Sequence, residues 1–214
     1  MRFRPHALVF DMDGLLVDSE PLWHEVEKDF LAARGAVWTH DLAMACTGMG
    51  IGPAIQLMGR TCGFDVDEDR DVAEMEDRFV ARSGELVLKP GALRFLEAAR
   101  RRLPVGLASS STRRLIDTNL QNFNVREYFQ VTVSGREVPR AKPFPDVYLR
   151  AAELLGVDPR ACVAFEDSRN GCRAARAAGM QVIAVPEIDP TEFGALADAV
   201  VGSLDEARGL VELP

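Results

Sequence analysis

Ala7-Leu8-Val9-Phe10-Asp11-Met12-Asp13-Gly14 is the stretch on which the reading of this chain turns. Four apolar residues predict a short strand buried on both faces, and two carboxylates follow where it ends. An ionised carboxylate at a buried strand end is costly unless something pairs with it. A divalent cation is the simplest partner. Mg2+ takes oxygen ligands from one or two carboxylates and completes its shell with water and substrate phosphate. The same residues also fit an ordinary turn, because Asp and Gly both favour turns.

Outward from this strand, apolar runs and helical patterns alternate from Lys89 onward. Helices are expected over Ala92–Arg102, Thr112–Asn122, Pro145–Leu155 and from Ser168 to Ala178. Strands are expected at Val105–Ser109, Val131–Val133, Cys162–Phe165 and Met180–Val185. Thr112 and Ser168 are placed as N-caps, and Gly156 and Gly179 as stops. This alternation predicts an α/β fold: a doubly wound parallel sheet, Rossmann-like, with helices on both faces. The segment 17–86 differs. It carries helical patterns at Leu22–Arg34, Gly52–Met58 and Glu68–Arg82 without a convincing strand, so it reads as a helical insertion. The core is then 1–16 together with 87–214, with crossings near Leu15–Asp18 and Leu86–Pro90.

Bulk properties exclude several classes. The 214 residues carry a net charge of -8 and no long basic run, which disfavours nucleic-acid binding. No apolar run approaches the roughly 18 residues that span a bilayer. The basic start Met1-Arg2-Phe3-Arg4 leads straight into a strand rather than a leader's apolar stretch. A cytoplasmic protein without membrane or nucleic-acid partners is expected, and a monomer. Cys46, Cys62, Cys162 and Cys172 form no Cys-x-x-Cys pair and do not cluster with the three histidines, which argues against zinc and against a disulfide framework.

In open α/β sheets, ligands bind beyond the carboxyl ends of the strands. There this chain places Asp11 and Asp13, Ser109 and Ser110, and Glu166 and Asp167, with Lys142 after the third strand. Phosphoryl transfer needs such a set. A carboxylate can serve as the nucleophile, and a second carboxyl can move the proton of the leaving group. Hydroxyls and backbone N–H groups hold phosphoryl oxygens, an amine supplies compact positive charge, and Mg2+ lets one anion approach another.

Asp11-Met12-Asp13-Gly14, the strand ending in Ser109, Lys142-Pro143-Phe144-Pro145-Asp146 and Glu166-Asp167-Ser168 occur in this order. With them the chain resembles the haloacid dehalogenase superfamily over nearly its whole length. The stretches Asp11–Trp23 and Gly171–Met180 are similar to its hexitol- and deoxyglucose-phosphate phosphatases, relatives of the β-phosphoglucomutases. The resemblance implies Asp11 as nucleophile and Mg2+ ligand, and Asp13 as general acid and base with its carbonyl on the metal. Ser109 and the Ser110 backbone would hold the phosphoryl group, and Lys142 would steady Asp11 and phosphate. Asp167 would bind the metal, and Glu166 would either touch it or stand one layer behind. The insertion would be a cap closing over a small phosphorylated sugar or sugar alcohol.

Glu20 and Trp23 begin that cap. Glu20 is a candidate acceptor for sugar hydroxyls, and Trp23 is either a stacking surface for a sugar ring or an anchor in the cap core. The mutases carry His where this chain has Trp23 and Arg where it has Ile51, so hydrolysis is favoured over mutase chemistry. A β-phosphoglucomutase-like mutase, a phosphatase of nucleotide or pseudouridine monophosphates, and a non-catalytic phosphate binder are the other readings.

Overall fold

The computed structural model describes residues 2–187 and 189–213. The first strand, β1 (Ala7–Phe10), is followed by β2 (Val17–Asp18) and four helices: α1 (Glu20–Ala32), α2 (His40–Cys46), α3 (Ile51–Cys62) and α4 (Glu68–Arg82). The chain returns through β3 (Val87–Leu88) to α5 (Ala92–Arg100), β4 (Val105–Ser109), α6 (Arg113–Asn122), β5 (Val131–Ser134) and α7 (Asp146–Leu155). It ends with β6 (Cys162–Glu166), α8 (Arg169–Ala177), β7 (Gln181–Ala184), β8 (Ala199–Val200) and α9 (Leu204–Leu210).

Six strands form one sheet in the order β5-β4-β1-β6-β7-β8, with every neighbouring pair parallel. From β1 the chain builds outward through β4 and β5, then crosses back to build β6, β7 and β8 on the other side. The order therefore reverses at β1, and the crevice beyond β1 and β6 is where a ligand belongs. Register fixes what faces it: Phe10 pairs with Phe165 and Leu107, so Asp11 emerges level with Glu166.

Both faces of the sheet are buried. Leu8, Phe10, Leu107 and Phe165 join one apolar cluster, and Ala7, Val9, Ala108 and Ala164 join the other, as the two-residue period of a strand requires. Phe10 stacks on Phe165 at 4.6 Å between ring centroids, and Phe95 meets both rings edge-on at 5.2 and 5.0 Å. Such a ring, fully buried, contributes about 1.5–3 kcal/mol through apolar area alone. This aromatic wedge lies directly beneath the residues at the strand ends.

The expected helices and strands of the core are present with ends shifted by one or two residues. Thr112 and Ser168 cap as expected, accepting from the amides of Leu115 and Gly171. The segment read as free of strand does contain one: Val17 and Asp18 pair antiparallel with Leu88 and Val87. Two residues are too few to show periodicity, and their partner lies far along the chain. Helices α2 and α9 and strand β8 also went without a sequence signal. All four cysteines are free, and Cys162 is fully buried.

Candidate active site

The loop after β1 folds back on itself. Leu16 and Val17 amides donate to the Met12 carbonyl, and the Gly14 amide donates to the Val17 carbonyl. This aims Asp11 and Asp13 at the crevice. Gly14 takes a φ of +76°, and a Cβ there would lie 2.1 Å from Oδ2 of Asp167. Only glycine lets the Asp167 carboxylate lie so close over the turn.

Lys142 reaches the centre of the site from the segment after β5. Its Nζ donates to Asp11 Oδ1 at 2.6 Å, Glu166 Oε1 at 2.6 Å and the Ala108 carbonyl at 2.9 Å. All three ammonium protons are thereby engaged. Burial would lower the amine's pKa, but the carboxylates of Asp11 and Glu166 outweigh it and hold the pKa above the ordinary lysine range. Burial, with Glu166 and Asp13 adding to it against Lys142, pushes Asp11 up to about 8. Asp167 is likewise raised, by burial first and then by Asp11 and Glu166.

Carboxylate oxygens of Asp11, Glu166 and Asp167 lie within 4.8 Å of one another. Three carboxylates against the one ammonium of Lys142 leave a deficit of two positive charges when all are ionised. The donor set and its charge fit a hard dication. Glu166 differs from the other two. It is wholly buried, its Oε1 accepts from Lys142 and Tyr148, and its Oε2 accepts from the Ser168 hydroxyl. Asp11 and Asp167 keep oxygens open to the pocket.

Asp13 is held from the neighbouring strand. The Ser111 hydroxyl donates to its Oδ2 at 2.7 Å, and the Ser109 hydroxyl stands 3.5 Å from the same atom. Its other oxygen is buried with no hydrogen-bond partner. The serine loop is itself tied down: Ser109 Oγ accepts from the Ser111 amide, and the Ser134 hydroxyl donates to the Ser111 carbonyl.

One pocket collects Asp11, Asp13, Glu20, Trp23, Ser109, Ser110, Lys142 and Asp167. Glu166 is not on its wall. Trp23 stacks on Phe79 of α4 at 4.3 Å, so it serves as a cap anchor while still lining the pocket. Glu20 sits in the first turn of α1, its pKa raised by burial and by Asp13. Ser111, Tyr148, His24 and Glu27 escaped the sequence reading. Ser111 was hidden in a run that reads as a helix cap, and the other three carry no local motif.

The glycine-rich loop of the cap lies on the core. A Cβ on Gly48 would meet the Cβ of Ser168 at 3.0 Å, and one on Gly50 would meet the Ser110 carbonyl oxygen at 3.3 Å. Arg136 bridges to Glu68 at 2.8 Å and Arg114 to Asp77 at 2.6 Å, joining the two parts further out. Among the described residues no helix is long and apolar enough to cross a membrane.

A parallel α/β sheet with a buried amine and a compact cluster of carboxylates at its switch point is the setting of a phosphate-handling hydrolase. The chain belongs to the haloacid dehalogenase-like hydrolases, whose family model matches residues 5–179. It is 38% identical over 209 residues to hexitol phosphatase B of Escherichia coli, covering 94% of this chain and 93% of that one. It is 31% identical to a phosphorylated carbohydrates phosphatase of Thermotoga maritima, covering 96% and 90%. Among solved structures, a mutant CbbY of Rhodobacter sphaeroides in complex with xylulose-(1,5)bisphosphate superposes with a TM-score of 0.87 at 29% identity, covering 97% and 100%. The chain is an enzyme of this family, a phosphatase.

Proposed function

We propose that the enzyme is a Mg2+-dependent phosphatase of a small phosphorylated sugar or sugar alcohol, working through an aspartyl phosphate on Asp11. The observation that carries this reading is the amine of Lys142 fixed between Asp11 and Glu166, with Asp167 within cation reach of both. Asp11, Asp167 and the Asp13 carbonyl would hold Mg2+, with Glu166 available behind them. When bound, Mg2+ neutralises carboxylate and phosphate together.

Asp11 attacks phosphorus, the P–O bond to the sugar breaks, and the leaving oxygen takes a proton from Asp13. Asp13 then accepts a proton from the water that attacks the phosphoenzyme, which returns Asp11 and releases phosphate. Ser111 fixes the Asp13 carboxyl for both transfers. The Ser109 hydroxyl and the Ser110 amide hold phosphoryl oxygens. Residues 17–86 act as a cap on a core of 1–16 and 87–214, and closure of the glycine loop on Ser110 and Ser168 excludes bulk water.

The pocket supports a substrate with one phosphate. Among the described residues on its wall, Lys142 is the only Lys or Arg, and Ile51, the first residue of α3, adds an apolar side chain. A second phosphate finds no such partner there, which favours a monophosphate over the bisphosphate of mutase chemistry. Hexitol and carbohydrate phosphatases among the relatives agree with a sugar phosphate.

The test is phosphate release from p-nitrophenyl phosphate and from a panel of hexose, hexitol, triose and nucleoside monophosphates. Turnover should require Mg2+ and vanish in Asp11→Asn. Full activity in EDTA would refute the metal, and a preference for nucleotides would refute the substrate class.

A further inference from the structure

Helix α1 carries two polar groups into the pocket beyond those that the motifs mark. His24 and Glu27 lie on its wall, Glu27 one turn beyond Trp23, and the same wall includes Cys46, Ala54 and Met75 of α2, α3 and α4. Glu20, whose carboxyl feels the charge of Asp13, lies two turns earlier on α1, about 10 Å along the helix, so Glu27 stands toward the end of the pocket away from Asp11. It is only 7% exposed. Its Oε2 accepts from the indole N–H of Trp38 at 3.3 Å, and no ion pair with Lys, Arg or His reaches it among the described residues. Burial, relieved in part by Trp38 and reinforced by the charge of Glu20, pushes this carboxyl up to about 7.

A carboxyl in such a place is a poor structural choice. An apolar side chain would fill the same volume without the desolvation cost. Trp38 needs one acceptor, and a carboxyl offers a second oxygen. Nearby, the Nε2 atom of His24 is buried without a hydrogen-bond partner and lies 3.6 Å from Glu20 Oε2. The cap end of the pocket therefore combines apolar walls with polar atoms whose bonding capacity is unfilled. Ligand sites have this composition, with a few polar groups fixing orientation. Hydroxyl groups suit it, since they both donate and accept.

We infer that Glu27, steadied by Trp38 and flanked by His24, is the specificity-determining residue that binds hydroxyl groups on the phosphate-free end of the substrate. The inference rests on the sugar-phosphate reading above and names the residue that would enforce it. A site built to bond a hydroxyl discriminates strongly against an analogue that lacks it, because its polar groups are then left unpaired.

The experiment compares kcat/KM for a hexitol 6-phosphate with that for p-nitrophenyl phosphate, whose leaving group bears no hydroxyls. Glu27→Leu should lower the ratio of the two at least tenfold, mainly through the KM of the hexitol ester. Glu27→Gln, which keeps a hydrogen-bonding head, should recover the ratio to within about threefold of the unaltered enzyme. A ratio within twofold of the original in Glu27→Leu overturns the inference. If that variant does not fold, Trp38→Phe releases the carboxyl and should shift the ratio at least threefold, and an unchanged ratio is again decisive against it. An unaltered protein inactive on both esters would sink the phosphatase reading together with this one. Activity on both esters with a ratio indifferent to Glu27 would sink this one alone.

Discussion

Lys142 joins two carboxylates that would otherwise face each other in a buried space. Removing the amine leaves both without a counter-charge once Asp11 is ionised, so above about pH 8 Lys142→Met should destabilise the fold by about 3–5 kcal/mol, the cost of breaking a buried pair, read by urea unfolding in the absence of metal. Ser111 has the opposite profile. Ser111→Ala removes the donor at 2.7 Å from Asp13 and should lower kcat about ten- to a hundredfold, because hydrogen bonds to charged groups are worth roughly 1.5–3 kcal/mol. Steady-state kinetics would check it, and an unchanged kcat would show that Asp13 needs no such orientation. Asp11 and Asp13 were legible because one octapeptide carries both the strand and its acids. Lys142 was legible through its place after a strand, in series with the other motifs. Ser111 and Tyr148 were not, because their partners, Asp13 and Glu166, lie 98 and 18 residues away and only folding brings them together.

Among the elements, the cap loop between α2 and α3 is the one whose shape depends most on glycine. Gly48 holds a φ of +73° against Ser168. A methyl group there meets both a left-handed backbone, unfavourable by roughly 1–2 kcal/mol for other residues, and a neighbour already in close contact. Gly48→Ala should therefore lower kcat at least tenfold while costing no more than about 1–2 kcal/mol of stability, since the loop is peripheral to the sheet. Unaltered turnover would mean that the loop does not press on Ser168 during the reaction. The core elements were readable because buried parallel strands are continuous apolar runs and their helices carry clear caps. The β2–β3 ribbon was not, since its stability comes from cross-strand pairing between residues about 70 positions apart.

At the scale of the whole molecule, the acidic cluster links stability to pH and to metal. The folded state holds a proton on Asp11 up to about 8, against 3.8 for an unperturbed carboxyl, and Asp167 is raised too. The native state thus binds more protons than the unfolded one between about pH 4 and pH 8, and metal-free stability should fall as pH rises through that window. Mg2+ should oppose this fall increasingly toward pH 8. At one hundred times its dissociation constant it should add about 2.7 kcal/mol, or about 5–10 °C in Tm, measured by calorimetry with and without EDTA. A metal effect independent of pH would place the cation elsewhere. The bridges Arg136–Glu68 and Arg114–Asp77 have side chains roughly half exposed and contribute little, about 0–1 kcal/mol each. Glu68→Ala should leave global stability within about 0.5 kcal/mol and alter KM, as a change in the open–closed balance would. The strands that carry the chain out to the four helices and back are zipped to each other, Val17 against Leu88 and Asp18 against Val87. Departure and arrival share one doorway, so whatever is threaded through it leaves the sheet's own order untouched. A different set of helices grafted at that doorway should leave Asp11, Asp13, Lys142 and Asp167 where the sheet puts them and alter which molecules are admitted to them.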